Sequence, residues 1–290
     1  MKYVVTGSAG FIGGALAQRL KAQGHDVTGI DPADGSGDIL DFDDLVQKAK
    51  DAGGIFHLGA VASVPRTIED PKNSHAVNVT GTLNVLETAR INGNIPVVYA
   101  SSAAVYGDND ALPLSEAETP RPLSPYAAHK IANEIDAKSF GAAFGLKTFG
   151  LRFFNVYGPG QDPSSPYSGV ISIFHDRLRA HAPVTLFGDG AQTRDFVALD
   201  DAVQSLIAAM ENVSASAPVA NICTGTAISL RDLLDSFGQV LKVNPEIQTA
   251  PPRAGDIKYS YGSPALFSRL TGFTPQTPLS EGLKALIKAA

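Results

Sequence analysis

The sequence predicts an α/β protein, a doubly wound parallel sheet followed by a smaller C-terminal α/β substrate-binding domain. Three observations carry that prediction. Short apolar runs alternate with stretches of helical spacing through the first half of the chain. The first run opens through a glycine-rich turn straight into a helix, and a loop of Gly, Pro and Ser after residue 157 marks the passage to a second domain. Strands buried on both faces read as continuous apolar runs, and helices between them supply the cover.

The elements follow in order. Lys2-Tyr3-Val4-Val5-Thr6 is a β-branched strand; Gly7-Ser8-Ala9-Gly10-Phe11-Ile12-Gly13 is the turn, and Ala15, Leu16 and Leu20 give the helix its apolar spacing. Asp26-Val27-Thr28-Gly29-Ile30 is the second strand and ends in Asp31. After a compact loop over 32–37, a helix is expected over 42–49, a strand over 54–58 and a helix over 74–91 with Val77, Leu83, Val85 and Leu86 apolar. A fourth strand is expected over 95–100, and Ser124-Pro125 opens a further helix through Ile131, Ala132 and Ile135. There is no internal repeat or low-complexity segment.

A strand that ends in glycines lets backbone approach a pyrophosphate, and the unpaired N–H groups at the start of the next helix bind its charge. Gly7 serves the tight turn, Gly10 the close approach and Gly13 the packing of helix on sheet, with Phe11 and Ile12 between them. The spacing is Gly-x-x-Gly-x-x-Gly. Asp31, at the tip of the second strand, is placed to accept hydrogen bonds from an adenosine ribose and to repel a 2′-phosphate. No Arg or Lys follows before Lys48, so the expected cofactor is NAD, not NADP, on a Rossmann-type sheet.

Bulk composition narrows the remaining classes. The 290 residues are 44% hydrophobic and 18% charged, with a formal net charge of −6, so nothing electrostatic favours nucleic acid or an anionic membrane. No apolar run is long enough to span a bilayer, and the chain enters its first strand without a charged leader, so a cytoplasmic protein is expected. One cysteine, Cys223, excludes an internal disulfide, and the six histidines show no metal-ligand spacing, so no metal site is expected.

Ligands of doubly wound sheets sit beyond the carboxyl ends of strands, which places Ser102, in the run Ser101-Ser102-Ala103-Ala104, in reach of a substrate. Tyr126 and Lys130, four residues apart in Ser124-Pro125-Tyr126-Ala127-Ala128-His129-Lys130, share one helical face. An ammonium beside a phenol favours the phenolate, and a positive nicotinamide ring adds to this, which makes Tyr126 the candidate general base. His129 beside them is expected to be a packing or solvated histidine.

Together these segments resemble the extended short-chain dehydrogenases/reductases of the nucleotide-sugar epimerase/dehydratase family. The resemblance also rests on His57-Leu58-Gly59-Ala60, Asn78-Val79-Thr80-Gly81-Thr82, Leu151-Arg152-Phe153-Phe154-Asn155-Val156-Tyr157-Gly158-Pro159, Arg194-Asp195-Phe196-Val197 and Pro252-Arg253-x-Gly255-Asp256. It implies that Asp38 and Ile39 hold the adenine, that Leu58, Gly59, Ala60, Ala62, Asn78 and Ala100 line the cofactor, and that Phe154 borders the nicotinamide. It assigns Asn155, Arg194 and Arg253 to the nucleotide diphosphate, and arginine's planar fork suits phosphate oxygens. Dehydratases, decarboxylases and epimerase-reductases of this family carry extra acids, bases or a Cys and a His near the Ser102 loop; here Ala103 and Ala104 follow. What remains is reversible oxidation and reduction, a 4-epimerase acting through a 4-keto intermediate. A net dehydrogenase or reductase and a non-catalytic dinucleotide-binding regulator are the alternatives.

The resemblance further makes Ser260 a small gatekeeper of the hexose pocket and likens the segment beginning at Ser63 to N-acetylhexosamine 4-epimerases. UDP-GlcNAc/UDP-GalNAc is therefore expected alongside UDP-glucose/UDP-galactose. It also implies a homodimer formed through a helix pair. Residues 1–160 with 194–211 are assigned to the cofactor domain, and 161–193 with 212–290 to the cap. The short loop from Asp31 to Asp38 is expected to leave the adenosine more exposed than in many relatives.

Overall fold

The structure, a computed structural model, describes residues 1–161, 169–252 and 257–289. Its first half alternates as the sequence predicts: β1 (Lys2–Thr6), α1 (Phe11–Ala22), β2 (Asp26–Ile30), α2 (Phe42–Lys48), β3 (Gly54–His57), α3 (Val64–Glu69), α4 (Pro71–His75), α5 (Gly81–Ile91), β4 (Val97–Ser102), α6 (Pro125–Phe144) and β5 (Thr148–Phe153). Then come β6 (Asn155–Tyr157), α7 (Val170–Arg179), β7 (Val184–Phe187), β8 (Thr193–Arg194), β9 (Phe196–Ala198), α8 (Leu199–Glu211), β10 (Val219–Ile222), β11 (Ile228–Ser229), α9 (Leu230–Leu241), β12 (Ile247–Ala250), α10 (Ala265–Thr271) and α11 (Leu279–Ala289).

Six strands form one sheet in the order β10-β5-β4-β3-β1-β2, and every pairing in it is parallel. Alternation along the strands builds two cores. Val5, Phe56 and Val98 point to the face covered by α1 and α8, while Val4, Ile55, Val97 and Tyr99 point to the face covered by α2 and α5. Each such fully buried aliphatic side chain stabilises the fold by about 1.5–3 kcal/mol. The strand order reverses between β1 and β3, which opens a crevice at their carboxyl ends.

Three details differ from the sequence reading. The helix expected over 74–91 starts at Pro71 and contains a π-helical turn, Ala76–Thr80, between α4 and α5. Within that turn the Asn78 carbonyl accepts from the Thr82 hydroxyl at 2.7 Å, and its side chain is drawn to Val61. The fourth strand runs two residues further, to Ser102, because β5 pairs with it as far as Phe153. The stretch 212–290, assigned to the cap, returns β10 to the central sheet, where Ala220 and Ile222 are fully buried beside β5.

The cap proper has its own apolar core of Phe174, Leu186, Phe196, Leu234, Phe237 and Leu283. It is built on pairs of very short strands: β7 with β12, β8 with β11 and β6 with β9. No helix among the described residues is long and apolar enough to cross a membrane.

Candidate active site

The crevice is a cavity of about 660 Å³ that runs from the glycine turn past the end of β4 to the first turn of α6. Its wall includes Gly7, Gly10, Phe11, Ile12, Gly13, Asp31, Asp38, Ile39, Leu58, Gly59, Ala60, Ala62, Ala100, Ser102, Tyr126, Lys130 and Phe154. These sequence-predicted positions lie on separate elements, and the tertiary fold brings them together.

The turn fits a dinucleotide. Gly7 has φ +71°, a conformation that favours glycine. A Cβ on Gly13 would stand 2.0 Å from the Gly7 carbonyl oxygen, so helix and turn touch at a distance only glycine permits. Gly10, the residue before α1, offers no side-chain cap, and the N–H groups of the first helical turn are left for an anion. The Asp31 carboxylate accepts from the backbone N–H groups of Ala9 (3.1 Å) and Ala33 (2.9 Å), which hold it at the tip of β2.

Asn78 is not in the wall, contrary to the sequence reading. It is buried behind it: its Oδ1 accepts from the Val61 N–H at 2.7 Å and its Nδ2 donates to the Val61 carbonyl at 3.0 Å. A chain of hydrogen bonds extends this brace. The Thr82 hydroxyl is spent on the Asn78 carbonyl, so His57 must donate to it through Nε2–H (2.9 Å) and accept at Nδ1 from the Thr6 hydroxyl (2.8 Å). Thr6 Oγ1 in turn accepts from the N–H groups of Leu58 and Gly59 at 3.2 and 3.0 Å. Leu58, Gly59 and Val61 of this loop are therefore held by side chains outside the cavity. Burial, with Lys130 nearby, pushes His57 down to about 3, so the imidazole is neutral and its tautomer is set.

At the other end, Ser102 and Tyr126 both line the cavity, and the Ser102 hydroxyl acts to lower the phenol's proton affinity. Ser124 caps α6, accepting from the Ala127 N–H at 3.2 Å with Pro125 in the first turn, and so fixes where Tyr126 enters. Lys130 Nζ donates to the Ala100 carbonyl at 2.8 Å and lies 5.7 Å from the centre of the Tyr126 ring. Burial pushes the phenol above its ordinary value and only the Ser102 hydroxyl opposes it, so the protein's own groups keep Tyr126 protonated and do not bring it toward a phenolate near neutral pH as the sequence suggests. Lys130 is held down to about 8 by burial, against the pull of Glu134. His129 is buried, edge-on to His75 and 3.4 Å from Asn78, a packing role.

The residues assigned to substrate lie apart. Asn155, Arg194 and Ser260 are not in the cavity wall, but they cluster next to it. The Asn155 N–H and Nδ2 both bond the Asp195 carbonyl, Arg194 Nη1 donates to the Thr193 carbonyl at 2.8 Å, and the Ser260 N–H donates to that same carbonyl at 3.2 Å. Ser63 caps α3 by accepting from the Arg66 N–H. Arg253 lies outside the described residues.

Sequence reasoning missed two organisers of this side. Asp195 is fully buried, and its carboxylate collects Thr224 N–H and Oγ1–H (both 2.8 Å), Gly225 N–H (2.9 Å) and Gly262 N–H (3.4 Å), which draws three segments around Arg194. A carboxylate between strand residues was the available signal. Gln161 lines the cavity mouth, and its amide oxygen accepts from Ser172 of α7 at 2.6 Å, but its loop had been read only as a boundary.

Residues 3–223 match the NAD dependent epimerase/dehydratase family. The chain is 36% identical over 309 residues to the UDP-glucose 4-epimerase of Mycolicibacterium smegmatis, covering 99% of this chain and 98% of that protein. It is similar to the solved UDP-glucose 4-epimerase from Thermotoga maritima with UDP-glucose, at a TM-score of 0.95 and 31% identity over 100% of this chain and 98% of that one. It is equally similar in form to the UDP-N-acetylglucosamine 4-epimerase from Methanobrevibacter ruminantium in complex with UDP-N-acetylmuramic acid, at a TM-score of 0.94 and 32% identity over 99% and 97% of the two chains. With a glycine cradle, a carboxylate at the tip of β2 and whole-length likeness in agreement, the chain belongs to the NAD dependent epimerase/dehydratase family, and NAD is its cofactor.

Proposed function

We propose that this protein inverts C4 of a UDP-activated hexose by oxidising the carbinol and reducing the resulting 4-keto sugar from its other face. One observation carries the reading. Among the described residues that line the cavity, the titratable side chains are Asp31 and Asp38 at the adenosine end and Tyr126 and Lys130 at the reacting end. Among the described residues of the lining, no carboxylate or imidazole accompanies Ser102 to eliminate water or assist decarboxylation, so a redox step is what this set of groups can perform.

Tyr126 accepts the proton of the C4 hydroxyl, and Ser102 hydrogen-bonds the same oxygen. Lys130, anchored on the Ala100 carbonyl, keeps a positive charge near the phenol. When bound, NAD would supply the reversible hydride acceptor, and its positive ring would oppose the burial that raises the phenol. In the return step Tyr126 gives its proton back to the C4 oxygen. Asn155, Arg194 and Arg253 hold the diphosphate, so the keto-hexose is free to turn between the two half-reactions.

Ser260, a small side chain next to Arg194, supports admission of an N-acetyl group, so UDP-GlcNAc/UDP-GalNAc joins UDP-glucose/UDP-galactose as substrate. Exposed Leu83 of α5 and Ile135 of α6 support a homodimer through those two helices, which sedimentation would show as a particle of twice 30.3 kDa. The deciding experiment incubates the purified protein with each of the four UDP-sugars and separates the C4 epimers. Interconversion without loss of NAD supports the reading. NADH accumulating in step with substrate would make the protein a dehydrogenase, and reaction of the plain hexoses alone would remove the N-acetyl pair.

A further inference from the structure

Tyr126, Lys130 and Glu134 stand at successive turns of α6, on one stripe of the helix. Three consecutive residues of β4 receive them. The Ala100 carbonyl accepts from Lys130 Nζ at 2.8 Å, the Ser101 hydroxyl donates to Glu134 Oε1 at 2.5 Å, and Ser102 lines the same cavity as the Tyr126 phenol. Two of the three are the candidate catalytic groups; the third has no part in the mechanism given above.

Glu134 is also fully committed. Arg152 of β5 grips it with both arms, Nε to Oε1 at 2.9 Å and Nη2 to Oε2 at 2.7 Å, and the two side chains are 7% and 10% exposed. Arg152 is fixed in turn: its Nη1 donates to the Tyr106 hydroxyl at 2.9 Å, and that hydroxyl donates to Asn221 Oδ1 of β10 at 2.6 Å. The carboxylate thus sits at the junction of α6, β4 and β5, one turn beyond the lysine.

We propose that Glu134 is a positioning residue of this site: it sets the register of α6 on β4 and supplies the buried negative charge that keeps Lys130 an ammonium. This rests on the functional reading above for its purpose, but not for its test. The groups around Lys130 leave little else to do the work. Tyr126 and His129 of its own helix favour their uncharged forms, as does His57 of β3; His75 of α4 packs edge-on to His129, and Arg152 of β5 is paired with the carboxylate itself and with Tyr106. Burial lowers the lysine's hold on its proton, and the carboxylate is the charge that opposes it. A purely structural Glu134–Arg152 pair would hold the helix to the sheet without touching that proton.

The two roles separate in a titration. In protein labelled with ¹³Cε-lysine, the Lys130 signal is identified by its loss in Lys130→Met, and its midpoint in the wild type is expected at about 8. Glu134→Gln should lower that midpoint by about one pH unit or more, the usual consequence of losing an adjacent opposite charge. Glu134→Asp, which keeps the charge, should leave it in place. If Glu134→Gln does not accumulate as folded protein because Arg152 is left buried and unpaired, the double variant Glu134→Gln/Arg152→Gln removes both charges, and its midpoint should fall as well. An unmoved midpoint in whichever of these two variants folds overturns the proposal. The alkaline limb of turnover should follow the lysine. A wild-type protein that titrates as described but never epimerises a sugar would overturn the functional reading and leave this coupling standing.

Discussion

At one end, the cleft beyond the central sheet is walled largely by backbone and small or apolar side chains, whereas at the other the polar Asn155 and Arg194 stand outside that wall on strands of three and two residues. The first end is braced from outside by a chain in which each polar atom has its partner: Val61 to Asn78, Asn78 to Thr82, Thr82 to His57 and His57 to Thr6. The second is gathered around a single buried carboxylate, Asp195, to which Thr224, Gly225 and Gly262 donate. Rigidity at one end suits a cofactor that stays bound through many turnovers. At the other, under the proposed reading, a few charged contacts would hold a diphosphate and leave the hexose free to turn.

That contrast can be broken at several points. The largest effect belongs where the two ends meet. Tyr126→Phe should lower kcat by about 10²–10⁴-fold, the usual worth of a positioned acid or base, while NAD stays with the protein. Epimer separation and assay of NAD released on denaturation check both halves, and retained turnover would remove the phenol from the mechanism. Next, Arg194→Ala should raise KM for the UDP-sugar roughly 10–100-fold, the cost of about 1.5–3 kcal/mol for a charged hydrogen bond, with NAD content unchanged. Loss of NAD from that variant would mean that the two ends are not separable.

Gly13→Ala should do the reverse. Its Cβ would meet the Gly7 carbonyl oxygen at 2.0 Å, and backbone cannot yield as a side chain does. Stability should fall by about 1–3 kcal/mol and bound NAD should disappear, as read by denaturant unfolding and by nucleotide analysis. The smallest expected change is in pH dependence. His57 is neutral in the folded protein down to about 3, whereas the unfolded chain takes up a proton near its ordinary value. Its contribution is complete above about 6.5 and is lost as pH falls from there toward 3, at about 1.4 kcal/mol per pH unit. His57→Gln should flatten the fall in unfolding free energy between pH 6 and 5, leaving the same-signed contributions of His129 and His175. An unchanged slope would show that the brace is not held by a neutral imidazole.

Legibility in the sequence follows the same divide. The glycine turn, Asp31 and the Tyr126–Lys130 pair were readable because each is local: a turn conformation, a strand end, one helical face. Asn78 was assigned to the cofactor wall but stands behind it, since a π-helical turn moves its side chain toward Val61 and periodicity alone does not report that turn. Glu134 attracted no notice because a glutamate eight residues after a tyrosine has no meaning until β4 and β5 are laid against the helix. Asp195 was hidden by its neighbour, the arginine that matches a phosphate.

By itself the sequence determined the alternation of strands and helices, the kind of cofactor and the shared helical face of Tyr126 and Lys130, because hydrophobic period, glycine conformation and the spacing of a helix act over a few residues. Only the tertiary structure decided which partners set their charge and geometry: the Thr6–His57–Thr82 chain spans three elements, and the Glu134–Arg152 pair joins a helix to a strand packed beneath it. Proton affinity depends on burial and on charges a few ångströms away in space, and residues distant along the chain become such neighbours only when the core closes.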